Sequence, residues 1–197
     1  MIWQEFKDKL TPREQDLVEF YKHVIHDFTL PAPQVLEIGS GWGLFSRSAL
    51  ESDNEAQITT IDSRVKLKSE FHENTIGFER RLKIITGDSK VEVLKLEFES
   101  YDFIFVDGDH GYVGTLTDAR NAWGKLKVGG KMLFDDVFHD HNWKPNMIYA
   151  SENPKEAPKI DFDYGVTNAF FEFIKEKGIY SFWGFNQGNG LTMIEKR

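Results

Sequence analysis

Five short runs at residues 35–38, 58–61, 82–86, 103–106 and 132–134 constrain the chain more than any other feature. Each is a continuous apolar or β-branched run rather than an alternating one, which is the pattern of a strand covered on both faces. Helix-like stretches separate them, so the order predicts repeated right-handed strand–helix–strand units in one parallel sheet. Residues 113–126 fit one of those helices, with Gly129-Gly130 as its break. The tail changes character. Residues 166–177 read as a helix with Ala169, Phe170, Phe173 and Ile174 on one face. Residues 179–185 and 191–194 then flank Asn186-Gln187-Gly188-Asn189-Gly190, the signature of a β-hairpin. The expected fold is a single α/β domain over residues 1–197, with a seven-stranded, mostly parallel sheet, helices on both faces and an antiparallel C-terminal hairpin.

Residues 1–30 form an N-terminal helical segment. Thr11-Pro12-Arg13-Glu14 reads as a capping box with proline in the first turn, and Leu17, Val18, Tyr21, Val24, Ile25 and Phe28 follow at helical spacing. Residues 139–165 carry Pro145, Pro154 and Pro158 and little periodicity. Following the fifth strand, they are expected to lie over the carboxyl edge of the sheet, as a substrate lid or as a disordered insertion. Trp143, Phe162 and Tyr164 could line an acceptor site there or simply anchor the loop.

The chain has no cysteine, which excludes disulfides, thiolate metal sites and cysteine nucleophiles. Its net charge of −8 weighs against nucleic acid and anionic membranes as partners. Two basic clusters, Arg64/Lys66/Lys68 and Arg80/Arg81/Lys83, read as solvated faces. No run approaches membrane-spanning length and the N-terminus lacks a secretory pattern, so a cytoplasmic location is expected.

Strand one runs into Glu37-Ile38-Gly39-Ser40-Gly41-Trp42-Gly43. Glycines let the backbone turn sharply and approach a ligand, and the helix that follows offers free N–H groups. The spacing is G-x-G-x-G. Leu44 stands where a dinucleotide fingerprint would place its third glycine, which disfavours a nucleotide-dependent oxidoreductase. Strand two ends in Asp62-Ser63, placed to accept ribose hydroxyls, and strand three in Gly87-Asp88-Ser89, where the acid could equally be a helix cap.

Residues 35–137 resemble class I S-adenosylmethionine-dependent methyltransferases, whose fold is Rossmann-like. Glu37 to Gly43 match that family's E/D-x-G-x-G-x-G loop. The resemblance implies that Gly39, Ser40, Gly41, Trp42 and Gly43 hold the methionine part of the cofactor, that Asp62 binds the ribose, and that Asp88, with Ser89, meets the adenine. Trp42 is expected to pack against the cofactor or the core.

Strand four ends in Asp107-Gly108-Asp109-His110 and strand five in Asp135-Asp136. If those strands are neighbours, several carboxylates converge beside the cofactor's methyl group and repel one another unless a cation intervenes. An oxygen-rich set suits Mg²⁺, Ca²⁺ or Mn²⁺. Such an ion lowers a hydroxyl's pKa, and His110 is the candidate general base. His139 and His141 are rivals; turn formation and solvated aspartates are the bland alternative. This part is similar to metal-dependent O-methyltransferases of the catechol and macrolide-sugar types. The similarity implies Asp107, Asp135 and Asp136 as metal ligands, Asp107 also facing the cofactor. Asp136 departs from the catechol pattern, which carries asparagine.

The expected activity is methyl transfer from S-adenosylmethionine to a hydroxyl of a small molecule, assisted by a divalent metal. The alternatives are a metal-independent methyltransferase and a cofactor-binding module without turnover. Methylation of nitrogen lacks its N/D-P-P-Y/F motif after strand four. A homo-oligomer is compatible with the sequence, with the N-terminal helix as contact.

Overall fold

The computed structural model describes residues 3–63, 69–138, 157–187 and 190–197. Seven strands form one sheet in the order β3-β2-β1-β4-β5-β7-β6. The parallel strands are β1 (Gln34–Ile38), β2 (Gln57–Asp62), β3 (Leu82–Thr86), β4 (Tyr101–Val106) and β5 (Leu126–Phe134). The hairpin strands β6 (Trp183–Phe185) and β7 (Leu191–Glu195) pair antiparallel to each other, and β7 pairs antiparallel to β5. The order reverses between β1 and β4, so their carboxyl ends diverge into a crevice, as in other open α/β sheets.

The helices are α1 (Trp3–Lys7), α2 (Pro12–Phe28), α3 (Leu44–Ser52), α4 (Ser69–Asn74), α5 (Ser89–Glu92), α6 (Tyr112–Trp123) and α7 (Ala157–Glu176). Helix α2 starts as its sequence dictates. The Thr11 hydroxyl accepts from the Glu14 amide, the Glu14 carboxylate accepts from the Thr11 amide, and Pro12 fills the first turn. Two buried clusters lie on the two faces of the sheet. One joins Tyr21, Phe45 and Phe105 of α2, α3 and β4, with ring centroids 4.2 Å apart for Phe45 and Phe105 and 5.2 Å for Tyr21 and Phe45. The other joins β5 to Leu116 of α6 and Phe170 and Phe173 of α7. Helices therefore cover both faces, as the continuous apolar strands require.

Three expectations change. Helix α6 ends at Trp123, and Gly129-Gly130 lie inside β5 rather than breaking a helix. Gly129 takes φ 81 and donates to the Lys196 carbonyl, so the pair bends a strand that stays hydrogen-bonded on both sides of it. Helix α7 begins at Ala157, so residues 157–165, read as loop, are helical. Proline in the first helical turn is tolerated, which is where Pro158 stands. Arg81 is no surface charge. Its guanidinium donates to the carbonyls of Leu50, Asp53 and Ala56, satisfying the end of α3. Arg64, Lys66 and Lys68 lie outside the described residues, as do residues 139–156 of the expected lid, with His139, His141 and Trp143.

Two bare-backbone contacts flank the last of these stretches. A Cβ on Gly190 would stand 2.5 Å from Phe138 Cβ, and the Val137 amide donates to the Gly190 carbonyl. A Cβ on Gly165 would stand 2.5 Å from the His110 carbonyl oxygen and 2.4 Å from the Tyr112 nitrogen. Among the described residues, no helix is long and apolar enough to cross a membrane.

Candidate active site

The glycine loop leaves β1 in the left-handed region at all three glycines, with φ 90, 49 and 84 at Gly39, Gly41 and Gly43. Gly39 cannot be replaced freely. Its added Cβ would meet the Asp107 carbonyl oxygen at 2.0 Å, so the loop lies directly on the end of β4. Gly43 precedes α3 and offers no side-chain cap, leaving the first amides of that helix to a ligand or to water. Behind the loop Glu37 is buried and accepts from the Ser46 hydroxyl. Burial pushes its carboxyl up to about 7, against the opposing pull of that hydrogen bond.

Asp62 closes the loop from the next strand. Its Oδ2 accepts from the Ser40 amide at 3.2 Å and from the Ser40 hydroxyl at 3.1 Å. Beside it opens a cleft of about 360 Å³. Gly39, Asp62, Ser63, Asp88 and Ser89, all expected there, line it; so do Lys90, which the sequence did not single out, and Gly108 and Asp109 of the acidic strand-four end, which were not expected against the cofactor. Asp88 has both roles that were open to it: it lines the cleft, and it caps α5 by accepting from the Lys90 amide at 3.0 Å. Lys90 reaches across to Asp109 at 3.2 Å. Trp42 is 61% exposed and so stands away from the core, and its backbone carbonyl accepts from the Asn74 amide.

The ends of β4 and β5 carry the second group. His110 Nε2 lies 3.4 Å from Asp107 Oδ1, and His110 Nδ1 lies 3.2 Å from Asp136 Oδ2. One ligand atom from each of Asp107, His110 and Asp136 falls within 4.8 Å of the others. Asp136 adopts φ 60, a left-handed conformation that aspartate tolerates better than most residues. Asp135 turns its Oδ1 back to the Asp136 amide at 2.8 Å, so it stands behind the trio rather than within it.

Electrostatics follow from the crowding. The hydrogen bond to Asp107, then the charges of Asp136, Asp107 and Asp135, push His110 up to about 9 against the opposing effect of burial. Burial, then Asp107 and Asp136, push Asp135 up to about 7. The imidazole thus stands between two carboxylates whose charges favour its protonated form. The carboxylate oxygens of Asp107 and Asp136 would also suit a hard divalent cation.

Lys90 was missed because its signal is three-dimensional, and only the Asp-Gly-Asp turn hinted at Asp109 beside the cleft.

Comparisons with known proteins agree with this geometry. Residues 36–137, more than half the chain, match the family described as "Methyltransferase domain". A 49-residue stretch is 35% identical to "Uncharacterized protein R132" of Acanthamoeba polyphaga mimivirus, and the match spans 25% of this chain and 22% of that protein. Among solved structures, the chain superposes on the SAH-bound Podospora anserina methyltransferase PaMTH1 with a TM-score of 0.67, at 21% identity over 98% of this chain and 85% of that one. For the O-methyltransferase from Bacillus cereus in complex with SAH the TM-score is 0.66, at 15% identity over 95% and 82%. For the O-methyltransferase TomG from Streptomyces achromogenes, involved in tomaymycin synthesis and bound to SAM, it is 0.66, at 14% identity over 93% and 81%. At these identities the structures speak for the shared fold, while the family match over the glycine loop, both acid-bearing strand ends and the acidic group speaks for kinship: the chain belongs to the methyltransferase domain family.

Proposed function

We propose that the chain transfers a methyl group from S-adenosylmethionine to a hydroxyl of a small molecule. The observation that carries this reading is adjacency. The cleft lined by Gly39, Asp62 and Asp88 reaches Gly108 and Asp109, and the next residues on either side, Asp107 and His110, belong to the carboxylate–imidazole group.

In this reading the nucleoside lies in the cleft with its ribose hydroxyls donating to Asp62, which would exchange its hold on Ser40 for the ligand. The free amides at the start of α3 face the carboxylate of the methionine part. The sulfonium methyl then points toward the ends of β4 and β5. There the acceptor oxygen attacks in line, a new C–O bond forms as the S–CH₃ bond breaks, and the hydroxyl proton must leave. Alignment supplies much of the rate. His110 is the group placed to take the proton, yet it starts out protonated between Asp107 and Asp136. A divalent cation on those carboxylates would supply the charge they now draw from the imidazolium and lower the pKa of a hydroxyl beside it. His110 would then return toward its ordinary value and could accept a proton.

A metal-independent version has one observation in its favour. His110 already bridges both carboxylates, so part of their mutual repulsion is offset without an ion. One experiment separates the two versions: transfer of radiolabelled methyl to a panel of phenol, sugar and polyketide alcohols, with EDTA or with Mg²⁺. Loss of turnover in EDTA and recovery with Mg²⁺ support the metal; equal turnover in both removes it. Cofactor binding with no transfer to any acceptor overturns the catalytic reading in favour of a binding module.

A further inference from the structure

We infer that Asp118, on the buried face of α6, fixes the polarity of the Ser89 hydroxyl and so makes the cleft selective for a purine bearing an amino group. This deepens, and rests on, the cofactor reading above. Asp118 is fully buried. Its Oδ1 accepts from the Ser89 hydroxyl at 2.7 Å. Its Oδ2 is buried without a hydrogen-bond partner among the described residues. That oxygen lies 3.2 Å from the point where a Cβ on Gly108 would stand. Ser89 and Gly108 both line the cleft, so the carboxyl stands immediately behind the wall, between the ends of β3 and β4.

A hydroxyl has one proton and two lone pairs. An ionised carboxylate has no proton to give, so Ser89 must spend its own on Asp118. What Ser89 then presents to the cleft is an acceptor. An exocyclic amino group, as on adenine, can donate to it; the carbonyl oxygen that replaces that group in hypoxanthine cannot, and both oxygens would be left facing each other. Burial raises the Asp118 carboxyl to about 6, so it is ionised at neutral pH; of the neighbouring charges Lys90 lowers it and Asp109 and Asp88 raise it. A buried carboxylate with one unpartnered oxygen is costly, and an apolar residue would pack there with less penalty. Orienting Ser89 gives that carboxylate a task an apolar residue could not perform.

The test is calorimetry on the whole chain with two probes, S-adenosylhomocysteine and S-inosylhomocysteine, which differ at the amino position. The unaltered chain is expected to bind the adenosyl form about tenfold more tightly, the worth of one good hydrogen bond plus one avoided clash of acceptors. Asp118→Ala should collapse that ratio toward equality. Asp118→Asn, whose amide oxygen still accepts from Ser89, should keep most of it. Ser89→Ala should also lose the ratio, and adding Asp118→Ala to it should change nothing more. An undiminished ratio in Asp118→Ala, or a further change in the Ser89→Ala background, overturns the inference. If the unaltered chain binds neither probe, the cofactor reading itself falls, an outcome distinct from tight binding with no discrimination.

Discussion

At the ends of β1, β2 and β3 the groups facing the cleft are backbone, or side chains already held by neighbours: Gly39 against Asp107, Asp62 on Ser40, Asp88 on the Lys90 amide. At the ends of β4 and β5 they are carboxylates whose charges oppose one another, with the His110 imidazole set between two of them. The first region is preformed and owes its shape to sterics. The second is poised, and its state depends on protons. A shared cofactor asks only for a fixed cradle, whereas proton transfer needs groups whose ionisation can change.

Four substitutions or titrations can break this contrast, in descending order of effect. His110→Ala should lower turnover by roughly 10²- to 10⁴-fold, the usual contribution of a general base, while calorimetry shows cofactor affinity nearly intact; normal turnover would mean that the poised region has another base. Gly39→Ala should cost about 3 kcal/mol or more in denaturant unfolding, because its backbone is left-handed and the new methyl meets the Asp107 carbonyl. A midpoint shift no larger than that of a surface substitution would show that the cradle yields. Asp62→Ala should weaken S-adenosylmethionine binding by roughly ten- to a hundredfold, from lost charge-assisted hydrogen bonds; unchanged affinity would remove its ribose role.

The smallest effect concerns pH. His110 is raised from its ordinary 6.5 to about 9, so folding favours its protonated form. That stabilisation is complete below pH 6.5 and is lost as pH rises toward about 9. Melting temperature of the metal-free chain should decline across this window, and His110→Gln should flatten the decline. With His110 about 40% exposed, solvent screening keeps the effect modest. A decline that persists in the variant would assign it to other groups.

The parallel strands, the capping box and the hairpin were legible because each is a local pattern: a run of apolar residues, four residues of a helix start, a glycine-rich turn. Asp62 and Asp88 were legible as cleft-lining residues because each stands at or just past the end of a strand, whereas Glu37, one residue short of the end of β1, is buried behind the loop. What escaped is tertiary. Gly129-Gly130 looks like a stop signal, yet β5 runs through it because β4 and β7 supply partners on both sides. Asp135 and Asp136 are adjacent in sequence and alike in chemistry, but the left-handed turn at Asp136 sends only one of them to His110. Lys125 is buried, and its ammonium donates to the Leu94 and Leu96 carbonyls, a pairing that no local pattern announces.

The glycines at 190 and 165 carry a consequence beyond their own contacts. Each marks a seam where one backbone lies on another with room for no more than a hydrogen atom, one on Phe138 and one on the stretch carrying His110. A methyl group wedged into the second seam would tilt the tail helix and drag the histidine off its carboxylates. An assay would score that lesson in geometry as a chemical defect, although the altered residue touches neither reactant.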